Sequence, residues 1–246
     1  MYRKRRFKAL AATATLVTVL VVRAPILAQQ LTVTAQVEVV APPNQSHPPR
    51  DVVIWLETQE GSAPVHLIDV PRQHSALTQK HKSFTPHLLV VQMGTVVDFP
   101  NHDPFFHNVF SLFEGKRFDL GLYEAGTTRH VRFDRPGVCY IFCNIHPEMS
   151  AVVVVLDTPY WGLANRQGKV EIARVPAGRY TLHVWDERSL PENLAQLTRV
   201  VTVSPGQPSI GRVQIRETEV VLAHKNKYGQ DYEKPAPEGP GYIPQQ

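Results

Sequence analysis

The sequence predicts an all-β protein built from two β-sandwiches. Three observations predict this fold class: short runs rich in β-branched residues recur along the chain, turn-forming residues separate these runs, and only residues 191–196 have the composition of a short helix. The composition supports a packed fold, since 43% of the 246 residues are hydrophobic and 20% are charged. With two cysteines, the chain is not a disulfide-rich scaffold.

Residues 1–28 have the pattern of a secretory signal peptide. A basic cluster between Arg3 and Lys8 precedes the apolar residues 9–22, and Ala28 stands at the expected cleavage site. This apolar stretch is shorter than the roughly 20 residues that span a bilayer. We therefore expect an exported, periplasmic protein without a membrane span after cleavage, and the alternative is an uncleaved N-terminal anchor.

The basic excess of the chain belongs to the predicted signal peptide. Residues 1–28 contain six of the 26 Lys and Arg residues and none of the 22 Asp and Glu residues. The remaining chain is therefore slightly acidic. This removes the electrostatic argument for nucleic-acid binding, and we expect no nucleic-acid partner.

Strand-like runs follow one another after the signal peptide. Two β-branched runs, 37–40 and 52–56, flank a proline-rich bend, whereas residues 58–82 are polar and predict a connector with at most one strand, 65–70. The further predicted strands are 88–91, 95–99, 131–133, 138–143, 151–156, 169–175, 180–185, 197–203 and 210–216. Of these, 138–143 and 151–156 are continuously apolar, which predicts strands covered on both faces. Residues 223–246 are rich in proline and glycine and predict an extended tail.

The loop from Cys143 to Met149 carries the most informative motif. Its C-x2-H-x2-M spacing places a thiolate, an imidazole and a thioether directly after an apolar strand, and His107 precedes another predicted strand upstream. Sulfur ligands favour Cu(I), imidazole accepts both copper oxidation states, and a thioether is a poor zinc ligand. Two imidazoles, one thiolate and one thioether therefore indicate a copper site used for electron transfer.

Residues 83–157 resemble the cupredoxin family, and the spacing of the ligand loop is similar to that of the amicyanin type. Besides the loop, the resemblance includes Phe84-x-Pro86, Gly94-Thr95-x-Val97-x-Phe99-x-Asn101, Phe133-x3-Gly137 and His107-Asn108-Val109. It implies a Greek-key β-sandwich that holds one type 1 copper through His107, Cys143, His146 and Met149. It also implies that Asn108 ties the two ligand loops together and directs its backbone N–H at the thiolate.

Two residues compete with this ligand set. His102 is an alternative to His107, which we prefer because Asn-Val follows it, as in the family. Cys139 lies four residues before Cys143, about 13 Å away along a strand at about 3.3 Å per residue, which is too far for a disulfide. A binuclear copper centre would use both cysteines with C-x3-C-x3-H-x2-M spacing, which this chain misses by one residue. We interpret Cys139 as a core thiol.

Residues 168–185 resemble the carboxypeptidase regulatory-like, transthyretin-like β-sandwich. The resemblance lies in Gly168, in the turn Val175-Pro176-Ala177-Gly178 and in Tyr180 with the strand that follows. Residues 158–222 are short for a complete module of this kind, and residues 29–57 resemble its missing opening. We therefore predict a second small, immunoglobulin-like or transthyretin-like sandwich that is interrupted by the cupredoxin domain 83–157. The alternative is two domains in series.

The resemblance implies a periplasmic carrier of single electrons rather than an enzyme. All four ligand positions are filled, which leaves none open for a substrate. His146 is the expected electron port, and an apolar patch of Pro104, Phe105, Phe106 and Pro147 would receive a redox partner such as a dehydrogenase or a c-type cytochrome. The alternative function is a copper-binding scaffold, adhesion or storage protein without a carrier role.

Overall fold

The computed structural model describes residues 30–42, 48–49, 51–59, 75–112, 116–218 and 224–232. The predicted signal peptide 1–28 and the possible strand 65–70 lie outside the described residues. Within them the chain is almost entirely β, which confirms the predicted all-β fold class. None of the helices in these ranges is long and apolar enough to cross a bilayer.

Short strands and one helical turn make up the described chain. In chain order they are β1 (Gln30–Val40), β2 (Val53–Thr58), β3 (Ser75–Ala76), β4 (Thr78–Gln79), β5 (Phe84–Thr85), β6 (Leu88–Gln92), β7 (Val96–Pro100), β8 (His107–Ser111), β9 (Phe118–Tyr123), β10 (Thr128–Arg132), β11 (Gly137–Phe142), β12 (Ser150–Leu156), β13 (Trp161–Leu163), β14 (Lys169–Pro176), β15 (Gly178–Trp185), α1 (Pro191–Ala195), β16 (Arg199–Val203) and β17 (Ser209–Arg216).

Strands from both ends of the chain form one sandwich, which we call the outer sandwich. One of its sheets has the order β14-β1-β17 and the other has the order β13-β2-β15-β16. β1 pairs antiparallel with β14 and parallel with β17, and β2 pairs antiparallel with β13 and β15. A shared apolar core that includes Val33, Ile54, Ile172 and Leu182 lies between the two sheets. The opening strands thus pair with strands that follow residue 158, across the whole intervening segment.

The intervening segment forms the ligand sandwich. Its sheets have the orders β6-β12-β11-β8-β9 and β10-β7-β3, and their core includes Val97, Phe99, Ile141 and Val153. β3 and β4 fall inside the predicted connector 58–82, and β9 was not predicted. Their sequences explain this: β3 and β4 have two residues each, and β9 carries an acidic residue and a glycine that weaken a strand pattern.

β12 lies where the two sandwiches meet. Successive residues of a strand point to opposite faces of the sheet. On one face, Val153 and Val155 pack in the core of the ligand sandwich. On the other face, Val152 and Val154 belong to a second apolar cluster that includes Trp185 of the outer sandwich. Both faces of this strand are covered, as its continuous apolar run predicts.

Candidate metal centre

Three ligand-type side chains converge at one end of the ligand sandwich. His107, Cys143 and His146 each place one ligand atom so that these atoms lie within 4.8 Å of one another. The Nδ1 atom of His107 is 3.8 Å from the Sγ atom of Cys143, and the Nδ1 atom of His146 is 3.6 Å from the same sulfur. His107 lies 36 positions before Cys143 in the chain, and the sheet brings the two residues together.

The strands position the three side chains. His107 is the first residue of β8, and Cys143 directly follows the last residue of β11. β8 and β11 are antiparallel neighbours in the five-stranded sheet, so the start of one strand lies beside the end of the other. His146 follows on the loop after Cys143. His107 and Cys143 are both fully buried, whereas His146 is half-buried.

The distances fit a single metal ion. Two ligands that are about 2.0 and 2.3 Å from one ion, at a trigonal or tetrahedral angle, lie about 3.5–3.7 Å apart. The two nitrogen–sulfur separations are 3.8 and 3.6 Å. Side chains at this spacing can bind one metal ion with little movement. The donor set is soft and nitrogen-rich, and such a set suits copper.

Met149 closes the ligand loop and is fully buried. Its backbone N–H donates to the carbonyl of His146 at 3.0 Å, and its own carbonyl accepts the N–H of Cys143 at 3.2 Å. These two bonds fold the loop back on itself, so that the fourth predicted ligand residue follows the other two in a closed turn. A ligand role for the Met149 thioether remains a prediction.

The Cys143 thiol lies among backbone donors. Burial raises the pKa of this thiol, and hydrogen bonds from the backbone N–H groups of Asn108, Ile145 and His146 oppose that effect. Such donors stabilise a thiolate, which is the form that binds metal. Asn108 therefore directs its backbone N–H at the sulfur, as the family resemblance implies. Its side chain instead donates to Oδ1 of Asp119 at 2.6 Å.

The two imidazoles are held by aromatic packing and lie close together. Their ring centroids are 4.9 Å apart, and the Phe105 ring packs against His107 at 5.2 Å and against His146 at 5.6 Å. Burial lowers the pKa of His146, and the neighbouring His107 lowers it further. Because only the neutral imidazole binds a metal, a lowered pKa keeps His146 available as a ligand at neutral pH.

The buried Asp103 carboxylate contacts the ring nitrogen of His107 that does not face Cys143. Oδ2 of Asp103 lies 2.8 Å from Nε2 of His107, and Asp103 is only 5% exposed. The carboxylate also accepts the backbone N–H groups of His81 at 2.6 Å and Lys82 at 2.9 Å. Burial alone would raise the pKa of Asp103, but the bonds from Lys82, His107 and His81 outweigh it and lower that pKa. The carboxylate is therefore ionised beside His107.

The two backbone N–H groups that bind Asp103 belong to His81 and Lys82, in the segment 58–82 that the sequence predicts as a connector. His81 and Lys82 have φ angles of 56° and 53°, both in the left-handed region. Consecutive residues in turn conformations aim their N–H groups at one point and form an anion-binding nest. Asn101 completes the arrangement, because its Oδ1 accepts the Asp103 N–H at 3.0 Å. The motifs of the sequence do not single out Asp103, whose contact with His107 only the fold reveals.

The structure distinguishes the candidate ligands from the two alternatives, His102 and Cys139. His102 is exposed, whereas His107 is buried beside Cys143. Both cysteines are free, and Cys139 is fully buried in the core of the ligand sandwich. Burial raises the pKa of Cys139 to about 11. Among the described residues, the candidate metal cluster does not include Cys139.

Comparisons with known proteins give partial matches. The family described as "Polysaccharide lyase family 4, domain II" matches residues 153–209, which is less than half of the chain. No curated protein matches this chain.

Several solved structures are similar to part of the chain. A purple cupredoxin from Nitrosopumilus maritimus is 23% identical over 33% of this chain and 99% of its own, with a TM-score of 0.31. A reduced amicyanin mutant is 20% identical over 36% of this chain and 87% of its own, with a TM-score of 0.33. A copper-containing nitrite reductase from Thermus scotoductus is 20% identical over 48% of this chain and 28% of its own, with a TM-score of 0.33. Because the identities and scores are low, these likenesses carry no conclusion about function.

The candidate site lies at one end of the ligand sandwich. Two facing β-sheets enclose an apolar core, and a His–Cys–His group lies at one end of them. This part of the chain is a β-sandwich that holds a candidate metal site.

Proposed function

We propose that the protein is a copper-binding carrier of single electrons. One copper would be held by His107, Cys143 and His146, with Met149 as a weak axial ligand. The observation that supports this most strongly is that two imidazole nitrogens lie 3.8 and 3.6 Å from one buried thiol sulfur. Two His, one Cys and a long axial Met form the trigonal site of blue-copper proteins.

The protein's contribution is to hold the candidate ligand side chains in a fixed arrangement. When bound, copper would accept and release one electron between Cu(II) and Cu(I). The buried ring of His107 is held by Asp103 and Phe105, and the Cys143 sulfur by three backbone N–H groups. Ligands held in this way do not need to rearrange when the charge of the site changes. Four filled positions leave none for a substrate, so we propose no enzymatic reaction.

The half-buried His146 is the proposed point of electron exit. Phe106, which precedes His107, is 53% exposed, and Ile145, which precedes His146, is 44% exposed. These two side chains, together with the exposed Pro104 and Pro147, give the ligand end of the sandwich an apolar surface. A redox protein such as a c-type cytochrome or a dehydrogenase would dock there, through the small interface typical of electron-transfer encounters.

The remaining parts of the proposal concern location and domain organisation. Residues 1–28 have the order of a signal peptide, and we propose an exported, periplasmic protein. The pairing of β1 and β2 with β13, β14, β15 and β17 supports an outer sandwich that the ligand sandwich interrupts. We assign the outer sandwich to the carboxypeptidase regulatory-like type on its motif around residues 168–185, and we propose that it serves as a scaffold.

The experiment that tests the copper site compares two cysteine variants. The full-length protein is loaded with one equivalent of Cu(II), and its visible spectrum is recorded. Cys143→Ser should abolish the intense absorption, because that band comes from the bond between copper and thiolate. Cys139→Ala is the matched control, since it removes the other buried thiol, and it should keep the colour. Persistent colour in Cys143→Ser would contradict the ligand assignment, and loss of colour in Cys139→Ala would favour a binuclear centre.

A second measurement separates an electron carrier from a storage or scaffold protein. The copper-loaded protein is mixed with reduced c-type cytochrome in a stopped-flow instrument. A carrier oxidises the cytochrome rapidly and can be reoxidised through repeated cycles without losing copper. A storage protein binds Cu(I) tightly and exchanges electrons slowly, and that result would reject the carrier function while leaving the metal site intact.

A further inference from the structure

The described C-terminal segment, residues 224–232, lies across the loop that carries Cys143. The Tyr232 hydroxyl donates a hydrogen bond of 2.7 Å to the backbone carbonyl of Cys143. The backbone N–H of Lys227 donates to Oδ1 of Asn144, the next residue, at 2.9 Å. Both bonds join residues more than 80 positions apart in the chain, with separations of 89 and 83.

The first described residue of this segment, His224, makes a further contact. The His224 ring stacks on Phe142, which precedes Cys143, at a centroid distance of 4.0 Å and an interplanar angle of 24°. Nδ1 of His224 also lies 3.2 Å from the Tyr232 hydroxyl. Phe142, Cys143 and Asn144 are therefore contacted one after another by a single distant piece of chain.

Lys227 connects the segment, through Asp119, to the strand β8 that begins at His107. Nζ of Lys227 lies 2.8 Å from Oδ2 of Asp119. The other carboxylate oxygen of Asp119 accepts the side-chain N–H of Asn108, the residue after His107. Asn108 in turn gives its backbone N–H to the Cys143 sulfur. The segment is thus connected to β8, which begins at His107, and to the end of β11, which Cys143 follows.

We propose that residues 224–232 are a clasp that positions Cys143 in the metal centre, with Tyr232 as its principal positioning residue. Loops are the parts of a protein that open most readily. A hydrogen bond to the carbonyl of Cys143 restricts the backbone of the one residue whose sulfur faces both imidazoles. This proposal rests on the proposed copper site, but the alkylation test of the clasp does not require a metal.

The test measures how readily Cys143 is alkylated in the metal-free, full-length protein. Tyr232→Phe removes only the hydroxyl that reaches the Cys143 carbonyl. One lost hydrogen bond of this kind should raise the iodoacetamide labelling rate of Cys143 about three- to tenfold. Fragment-ion mass spectrometry assigns the label to Cys143, directly after β11, or to Cys139, in the middle of that strand. Both thiols are buried in the same core, so Cys139 reports on opening of the whole sandwich. Tyr228→Phe is the matched control, because Tyr228 is on the same segment and is 72% exposed.

The outcomes decide the proposal. Faster labelling of Cys143 alone, in Tyr232→Phe and not in Tyr228→Phe, supports the clasp. Equal acceleration at Cys139 and Cys143 would mean that Tyr232 stabilises the whole sandwich, and it would overturn a positioning role. An unchanged labelling rate would overturn it as well.

A spectroscopic signature provides the second readout. In the Cu(II)-loaded protein, Tyr232→Phe should shift the position of the thiolate-to-copper band and the reduction potential, whereas Tyr228→Phe should leave both unchanged. If neither variant nor the parent protein develops colour, the proposed copper function fails, and the alkylation result still decides whether the clasp exists. A coloured Tyr232→Phe protein whose band and potential match those of the parent would reject the positioning role alone.

Discussion

The His107 imidazole is bound at both nitrogens, with Nε2 lying 2.8 Å from the Asp103 carboxylate and Nδ1 lying 3.8 Å from the Cys143 sulfur. An ionised carboxylate only accepts hydrogen bonds, so the neutral form of the ring that pairs with it has its hydrogen on Nε2 and a lone pair on Nδ1. The carboxylate thereby selects the tautomer that can bind a metal. It also makes the imidazole a stronger donor.

We predict that Asp103→Asn weakens copper binding. Loss of the partner behind a ligand histidine costs about 10- to 100-fold in metal affinity. Removing a negative charge beside the site should also raise the reduction potential, because Cu(II) loses more stabilisation than Cu(I). Competition with a chelator measures the affinity, and Asp134→Asn, at an exposed carboxylate paired with Lys116, is the control. Equal affinities for both variants would show that Asp103 does not act on the ligand.

Met149→Leu tests the proposed axial ligand. The side chain is fully buried, and leucine has nearly the same volume, so the free energy of unfolding should fall by less than about 1.5 kcal/mol. Copper should remain bound, because the axial bond is the weakest of the four. The reduction potential should rise, since a weak donor to Cu(II) is lost. Voltammetry of the two copper-loaded proteins measures the change, and an unaltered potential would remove Met149 from the ligand set.

The contact between His87 and Glu187 predicts a pH-dependent stability. Nε2 of His87 lies 2.6 Å from the Glu187 carboxylate, and this bond raises the pKa of His87 above 6.5 although burial acts against it. His87 therefore binds its proton more tightly in the folded protein than in the unfolded chain. The resulting stabilisation is fully present below pH 6.5 and is lost as the pH rises through the higher pKa of the folded state.

Denaturant unfolding of the metal-free protein at several pH values checks this sign. The His87 side chain is 42% exposed, so solvent screens the pair and the effect should stay below about 1 kcal/mol. Glu187→Gln should lower the free energy of unfolding at acidic pH, and its difference from the parent should shrink as the pH rises. A difference that grew with pH would contradict the assignment.

Gly168→Ala tests whether the opening strand belongs to the outer sandwich. Gly168 has a φ angle of +78°, and a Cβ atom there would collide with the carbonyl oxygen of Val37 on β1. Strain of this kind costs about 1–3 kcal/mol. Gly211→Ala is the control, because Gly211 has a φ angle of +80° and an added Cβ there meets no atom of the described chain within 4 Å. If both variants unfold at the same denaturant concentration, β1 does not pack beside Gly168.

Local patterns in the sequence were sufficient to predict the ligand loop and the buried strand β12. The C-x2-H-x2-M loop follows an apolar strand, and the continuous apolar run of β12 indicates a strand that is covered on both faces. Alternation, turn residues and loop spacing act over a few neighbouring residues, so they can be recognised without a structure. Strands such as β3, β4 and β9 carry too few strand-forming residues to be recognised in this way.

The sequence by itself determined the all-β fold class and the chemical types of the candidate ligands, because period, composition and spacing are properties of short stretches of chain. Only the tertiary structure decided which histidine meets Cys143, that Asp103 supports it, and that Tyr232 reaches across 89 positions to the Cys143 carbonyl. Contacts of this kind depend on which strands become neighbours in a sheet. That choice is made by the burial of the whole core, and no short segment encodes it.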